Sequence, residues 1–233
     1  MLNNKNTIPI IFARSGSKGI KNKNLKKFAG KELIYYSIKY FNLLGFKDFF
    51  VSSDSKKILK YAQRFGGYPI LRPKFLATDK SNELLSWKHA INLLNKTNNF
   101  KYIFSLPCTS PLRSILTLKK ALNLMKNKNP DMVVSITSSN KSPDFNMLTK
   151  DNVSGRLKIY NKKKNIFRRQ DANKVFTLNT NFYIANVNYI LKTKNLLGGR
   201  ILGIETPKFE SIDIDDIYDF EIAELIYEKK FRR

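Results

Sequence analysis

The chain has 233 residues, of which 42% are hydrophobic, and this is enough for one large or two small domains with a packed core. No apolar run approaches the roughly 20 residues that cross a bilayer, which argues against membrane insertion. The apolar segment 8–13 is too short for a signal peptide, and the single cysteine, Cys108, cannot form an internal disulfide or a thiolate metal site. We therefore expect a cytoplasmic protein.

The chain is strongly basic. Its 43 Lys and Arg residues against 18 Asp and Glu residues give a formal net charge of +25. Such an excess is typical of nucleic-acid-binding proteins. Here, however, the excess is mostly lysine, spread along the whole chain among many asparagines, as an AT-rich coding sequence would produce. An anionic small-molecule substrate fits this charge as well as DNA does, and we disfavour a nucleic-acid partner.

Short β-branched or aromatic runs alternate with longer amphipathic stretches. The pattern predicts strands at 8–13, 49–53, 102–106 and 132–137, and helices at 33–44, 81–95 and 115–126. A further helix is predicted to begin after the N-cap Ser55 and to end at Gly66 and Gly67. This alternation indicates a three-layer, Rossmann-like α/β fold with a mainly parallel sheet. We expect its chemistry in the loops that follow the strands, because parallel sheets bind ligands beyond the carboxyl ends of their strands.

The alternation breaks at residues 138–180. This stretch is polar and basic, with two weak strand signals and no clear helix. We interpret it as an arm inserted into a single domain that covers residues 1–233. After the arm, the pattern predicts strands at 181–185, 201–205 and 212–214 and a helix at 217–229.

A loop rich in glycine and serine follows the first predicted strand. Its backbone N–H groups, together with Arg14, Lys18 and Lys23, would form a phosphate cradle. Neither the Walker A pattern nor the dinucleotide-binding glycine pattern is present. A solvated basic turn is the alternative interpretation.

Two acidic residues, Asp213 and Asp215, stand near the other end of the chain. In a strand, side chains two residues apart share a face, and two close carboxylates repel each other unless a cation or proton lies between them. Mg²⁺ suits such a site, because it takes one or two carboxylates and completes its shell with water and phosphate oxygens. Alternatively, Asp215 and Asp216 cap the last helix.

Six motifs together resemble the acylneuraminate cytidylyltransferase family, the CMP-sialic acid synthetases. They are ARSGSKGIKNKN (13–24), VSSDS (51–55), LRP (71–73), TSPLR (109–113), RQD with a later Asn and Tyr (169–183) and SIDID (211–215). The motifs keep the family's order and span nearly the entire chain. The resemblance implies a nucleotidyltransferase fold and transfer of CMP from CTP to a nine-carbon 2-keto sugar acid, with release of pyrophosphate and with Mg²⁺ as cofactor.

The resemblance also implies a role for each matching residue. The triphosphate and ribose would be held by Arg14, Ser17, Lys18, Lys23 and Asn24, and the cytosine would be read by Arg72. The sugar acid would contact Arg169, Asn179 and Tyr183, and magnesium would bind Asp213 and Asp215. Lys18, Arg14 and Asp213 would carry the catalysis. The stretch 138–180 would be the dimerisation arm of a homodimer.

Two departures from the family pattern lie on the sugar side. Pro107 and Cys108 replace a usual Gln-Pro pair, and the segment 179–183 reads NTNFY where sialic acid enzymes commonly have NGAIY. The particular sugar therefore stays open between N-acetylneuraminate and analogues such as legionaminate or pseudaminate. Two rival functions also stay open: a related sugar nucleotidyltransferase of the CMP-Kdo type, and a basic nucleic-acid-binding protein.

Overall fold

A computed structural model describes residues 2–96, 99–161, 168 and 171–231. The strands in chain order are β1 (Thr7–Phe12), β2 (Lys27–Phe28), β3 (Lys31–Glu32), β4 (Phe49–Ser53), β5 (Gly67–Leu71), β6 (Tyr102–Ser105), β7 (Met132–Ser138), β8 (Leu148–Lys150), β9 (Leu157–Ile159), β10 (Phe176–Asn186) and β11 (Ile201–Glu205). The α-helices are α1 (Leu33–Leu43), α2 (Lys56–Gln63), α3 (Glu83–Leu94), α4 (Ile115–Lys128), α5 (Val187–Lys192) and α6 (Ile217–Phe231).

The central sheet has seven strands in the order β11-β7-β10-β6-β1-β4-β5. Strand β1 pairs in parallel with β4 and β6, β4 with β5, and β7 with β11. Strand β10 runs antiparallel to both of its neighbours, β6 and β7. The sheet is therefore mainly parallel, as the alternation of strands and helices predicts.

Helices cover both faces of the sheet. On one face α1, α2 and α4 pack against it, and the ring of Phe41 in α1 meets that of Phe104 in β6 at 5.4 Å. On the other face α3 and α5 pack, and the fully buried Trp87 stacks on Phe12 at 5.5 Å. Adjacent residues of β6 point into the two different cores, since Ile103 belongs to the second. This arrangement confirms the three-layer architecture.

Helix α2 begins as the sequence predicts. The side chain of Ser55 accepts a hydrogen bond from the backbone N–H of Ile58, which satisfies one of the free donors at the start of the helix. The chain leaves the helix through Gly66 at a φ of 83°, a left-handed conformation that costs glycine little.

The predicted strand at 212–214 is wrong. The segment belongs to no strand, and its Ile214 N–H donates to the carbonyl of Thr109, in the loop after β6, at 2.8 Å. Ile214 is fully buried in a third apolar cluster that includes Phe220 of α6. The alternating isoleucines of this segment thus reflect packing under α6 and not membership of the sheet.

The stretch 138–180 contains a small antiparallel hairpin, β8 and β9, separate from the central sheet. Its last residues already belong to β10, because Phe176 is opposite Ser138 in the register with β7. Strand β10 is therefore longer than the predicted 181–185. Within the described part of the chain, no helix is both long enough and apolar enough to cross a membrane.

Candidate active site

A cleft of about 600 Å³ opens at the edge of the sheet where β1, β4, β5 and β6 end. Loops that follow these strands supply much of its lining, as expected for a parallel sheet. Eight residues that the sequence singles out line the cleft: Arg14, Ser17, Lys18, Lys23, Asn24, Arg72, Tyr183 and Asp215. Residues from both ends of the chain therefore meet around one cavity.

Asp54, which follows β4, holds the loop after β1 through hydrogen bonds. One carboxylate oxygen of Asp54 accepts from the backbone N–H of Ser15 at 2.9 Å, and the other accepts from the Ser15 hydroxyl at 2.5 Å. Partial burial alone would raise the pKa of Asp54, but these hydrogen bonds outweigh it and lower the pKa. Asn24 adds a bond from its amide to the carbonyl of Arg14 at 3.0 Å. The loop backbone is therefore fixed without any ligand.

Two cations of this loop are paired with a carboxylate that sequence reasoning missed. Lys18 Nζ lies 2.9 Å from one oxygen of Asp79, and Arg14 Nη1 donates to the other. These two hydrogen bonds, from Lys18 first and Arg14 second, lower the pKa of Asp79. An isolated acidic residue in a polar loop carries no distinguishing pattern, so only the fold reveals this contact.

The basic loop and the acidic segment touch each other. A Cβ atom built on Gly19 would overlap the backbone carbonyl oxygen of Asp215, so only glycine fits at this position. The Lys23 ammonium donates to the carbonyl of Ile214 and lies 3.4 Å from the Asp215 carboxylate. The Lys23 side chain is only 11% exposed, and its contacts connect the basic loop to the acidic segment in the interior of the protein.

The helix-capping alternative for the acidic residues is answered by the details of α6. Asp216 accepts from the backbone N–H groups of Tyr218 and Asp219 at 2.9 and 3.0 Å, which makes it the cap of the helix. Asp219 accepts from the N–H groups of Asp215 and Asp216. The carboxylate of Asp215 takes no part in the capping and is 78% exposed in the cleft.

Asp213 occupies a different environment from Asp215. It is half-buried, does not line the cleft, and its Oδ1 atom is buried with no hydrogen-bond partner among the described residues. Burial lowers the pKa of Arg113 to about 10, and the Asp213 charge opposes that change, as do Tyr40 and Cys108. The Asp213 charge also helps to raise the pKa of Tyr183, after burial and Glu83. The Asp213 charge thus acts on Tyr183, which lines the cleft.

Asp213 and Asp215 are chemically suited to magnesium, because carboxylate oxygens are ligands that Mg²⁺ takes in proteins. A buried acceptor oxygen without a partner is costly unless a donor or cation reaches it, and Asp215 offers a second, exposed carboxylate two residues away. Within the described residues, no three His, Cys, Asp or Glu side chains converge on one point. A metal here would thus need oxygens from water or substrate to complete its coordination shell, as Mg²⁺ usually does in proteins.

Arg72 forms another wall of the cleft. Its side chain is buried, donates to the Ser52 carbonyl at 2.7 Å and to the Ser86 hydroxyl at 3.3 Å, and lies over the ring of Phe12. Its Nε atom has no hydrogen-bond partner within the described structure. Burial lowers the pKa of Arg72, and the charges of Asp54 and Glu83 oppose that change. Arg72 nevertheless lines the cleft, so it brings a rigidly held cation to this wall.

The residues predicted to contact the sugar acid differ in whether they line the cleft. Tyr183 lines the cleft, with its hydroxyl pKa raised by burial. Asn179 is buried, and its amide donates to Thr206 at 2.9 Å within a bulge of β10, so it is not among the lining residues. Arg169 lies outside the described residues. Three residues at the departures from the family pattern line the cleft instead: Pro107, Cys108 and Thr180.

Arg113 organises this wall from inside the protein. The sequence leaves open whether it lines the crevice or lies on the surface of α4, yet it is completely buried. Its guanidinium donates to the carbonyls of Asn181, at 2.5 Å, and of Pro107. Arg113 therefore joins the loop after β6 to the bulge of β10.

A family model described as cytidylyltransferase matches residues 8–229. The chain is 34% identical to N-acylneuraminate cytidylyltransferase of Escherichia coli over 97% of its own length and 53% of that protein. It is 32% identical to CMP-N,N'-diacetyllegionaminic acid synthase of Campylobacter jejuni, over 94% of each chain. The chain thus spans about half of the first relative and nearly all of the second.

Solved structures agree on the fold. The CMP:2-keto-3-deoxy-manno-octonic acid synthetase solved with CTP superimposes with a TM-score of 0.69 at 12% identity, over 97% of this chain and 100% of that one. The 4-diphosphocytidyl-2C-methyl-D-erythritol synthase of Anaerococcus prevotii superimposes with a TM-score of 0.66 at 11% identity, over 96% and 99% of the two chains. At these identities the likeness establishes the fold alone. The family is shown by the match over residues 8–229: this chain belongs to the cytidylyltransferase family.

Proposed function

We propose that this protein transfers CMP from CTP to the anomeric hydroxyl of a nonulosonic, sialic-acid-like sugar acid and releases pyrophosphate. The observation that carries the proposal is the cleft itself, where the basic loop after β1 and the acidic segment before α6 meet. The relatives support the choice of acceptor, since they are named for N-acylneuraminate and for diacetyllegionaminic acid. A third relative, from Campylobacter jejuni, is named pseudaminic acid cytidylyltransferase and is 28% identical over 94% of each chain.

In this reaction the oxygen of the sugar's anomeric hydroxyl forms a bond to the α-phosphorus of CTP. The bond from that phosphorus to the oxygen bridging to the β-phosphate breaks, and pyrophosphate leaves. Lys18 and Arg14 are the proposed catalytic cations, because they reach the same end of the cleft and would offset the charge that develops on the leaving group. The described lining of the cleft contains no histidine, so the hydroxyl proton passes to a carboxylate or to water.

The remaining nucleotide contacts follow from position. Ser17, Lys23 and Asn24 belong to the same basic loop, line the cleft and would bind the phosphates and ribose. Arg72 lines the cleft as a rigidly held cation and would read an acceptor on the cytosine edge. Tyr183 would face the sugar acid, and we propose that Arg169 contacts it as well. Asn179 would contribute to the sugar site through the bulge of β10 that it stabilises.

We propose Asp213 and Asp215 as the residues that hold magnesium. When bound, the ion would supply positive charge to the phosphate oxygens and orient them. Asp215 presents its carboxylate to the cleft, and Lys23 fixes the backbone between the two acids. Asp213 counts as catalytic in this proposal through its hold on the ion.

We further propose that the protein works in the cytoplasm as a homodimer, with the stretch 138–180 as its dimerisation arm. Support comes from apolar side chains exposed on and beside the hairpin of β8 and β9: Leu148, Val153, Leu157 and Tyr160. Such exposed apolar groups are typical of a surface that another protein covers. Sedimentation equilibrium tests this directly: the arm proposal requires a dimer, and a Leu157→Asp variant that stays dimeric would contradict it.

The function is tested by a substrate panel. Each of the four nucleoside triphosphates is incubated with N-acetylneuraminate, legionaminate, pseudaminate or Kdo in the presence of Mg²⁺, and pyrophosphate release is measured. We expect turnover with CTP and at least one nine-carbon acid. Turnover with Kdo alone would identify the CMP-Kdo alternative. Indifference to CTP, together with tight, salt-sensitive binding of DNA or RNA, would favour the nucleic-acid alternative.

A further inference from the structure

The basic loop proposed to hold the triphosphate already binds a carboxylate of the protein itself, that of Asp79. Asp79 accepts from Lys18 at 2.9 Å through one oxygen and from Arg14 through the other. These are the two cations assigned to the leaving pyrophosphate. The inference below rests on the proposed function, because it concerns the same site.

Carboxylate and phosphate oxygens use the same donors on arginine and lysine. Arg14 and Lys18 therefore cannot give their full set of hydrogen bonds to Asp79 and to a triphosphate at once. Asp79 lies at the rim of the cleft with about two fifths of its side chain exposed, and its neighbours Thr78 and Ser81 line the same cavity. A rotation of one short side chain would free both cations.

We infer that Asp79 is a positioning residue that competes with the polyphosphate for Arg14 and Lys18. In the absence of nucleotide it occupies the donors of both cations at the cradle. When the reaction is over it returns to them and weakens the hold on pyrophosphate. Asp79 thus lowers the affinity of the site for polyphosphate, and the lower affinity favours release of the pyrophosphate product.

This role predicts an outcome that a merely structural residue would not give. If Asp79 only stabilised the loop, its replacement would weaken polyphosphate binding or leave it unchanged. If it competes, the neutral variant Asp79→Asn must bind polyphosphate more tightly. Two exposed ion pairs of ordinary strength correspond to a gain on the order of tenfold in affinity.

The experiment is calorimetric titration of the full chain with inorganic tripolyphosphate, pyrophosphate and CTP, in Mg²⁺ buffer at low salt. The matched control is Asp48→Asn, which makes the same change in net charge. Asp48 is exposed and precedes β4, so it lies at the opposite edge of the sheet, where it contacts Asn4 and Tyr68. Circular dichroism and thermal melting verify that each variant is folded.

We expect Asp79→Asn to bind pyrophosphate and tripolyphosphate about ten times more tightly than the wild type. The control should change the affinity much less, and higher salt should narrow the difference. Equal or weaker polyphosphate binding by Asp79→Asn, in a wild type that binds CTP, overturns this inference and leaves the proposed function standing. A wild type that binds neither CTP nor polyphosphate overturns both.

Discussion

The contact between the basic loop and the acidic segment is tested by two glycines of the same loop. A Cβ atom on Gly19 would overlap the carbonyl oxygen of Asp215, whereas a Cβ atom on Gly16 would meet nothing within 4 Å. Neither glycine has the positive φ that makes alanine intrinsically strained. Gly16→Ala is therefore a matched control for Gly19→Ala, with the same chemical change a few residues away.

The size of the effect follows from the identity of the obstructing atom. A backbone carbonyl cannot turn aside as a flexible side chain does. The two segments must therefore separate by at least about 1.4 Å, from 2.0 Å to the 3.4 Å at which ordinary van der Waals contact begins. A misplacement of about 1 Å in a catalytic site can cost on the order of 100-fold in rate. Overpacking of this kind costs about 1–3 kcal/mol of stability, which a folded domain generally tolerates.

The assay is pyrophosphate release at saturating CTP with the best sugar acid from the substrate panel. We expect kcat of Gly19→Ala to fall about 100-fold while Gly16→Ala stays within a few-fold of the wild type. Thermal melting separates the loss of geometry from the loss of fold. Equal activity in the two folded variants would refute the claim that the loop and the acidic segment act as one site.

Three further predictions concern single side chains. Asp215→Ala should lower kcat by at least about 100-fold with an unchanged melting temperature. Asp216→Ala should retain activity but lose about 1 kcal/mol of stability, because the helix cap is lost. Enzyme kinetics and urea unfolding of both variants check this. Arg113→Met should lower the free energy of unfolding by about 1–3 kcal/mol in urea titration, because the Asn181 carbonyl loses its buried donor while the Pro107 carbonyl keeps only the Ser37 hydroxyl. A loss below about 1 kcal/mol would contradict that reasoning. Cys108 is buried and its pKa is raised by burial to about 12, so the folded protein holds the neutral thiol below that pH. Its labelling by iodoacetamide between pH 7 and 9 should be far slower than in guanidinium chloride, and equal rates would show an accessible thiolate.

The sequence predicts most of the fold, because strand and helix patterns depend on local alternation and on nearby caps such as Ser55. The segment 212–214 shows where this reasoning fails. Alternating isoleucines look the same whether their partner is a sheet or a helix, and here Ile214 packs beneath α6. Burial alone does not reveal which element provides it.

The site is predicted as far as it consists of loops that follow strands, because topology brings those loops together whatever their sequence. The role of Asp79 lies beyond sequence reasoning, since its partner Arg14 is 65 positions away and nothing in the pattern links them. The burial of Arg113 is equally hidden, because an arginine at the start of a helix is usually exposed. Both contacts depend on the packing of distant segments.

A crystal structure of the protein with CTP, Mn²⁺ in place of Mg²⁺ and no sugar acid tests the central claim most directly. The account predicts one nucleotide in the cleft at the carboxyl ends of β1, β4, β5 and β6, with its phosphates on Arg14 and Lys18. The anomalous signal of the metal should lie between those phosphates and the carboxylates of Asp213 and Asp215. A nucleotide bound elsewhere, or a metal remote from both acids, would contradict it.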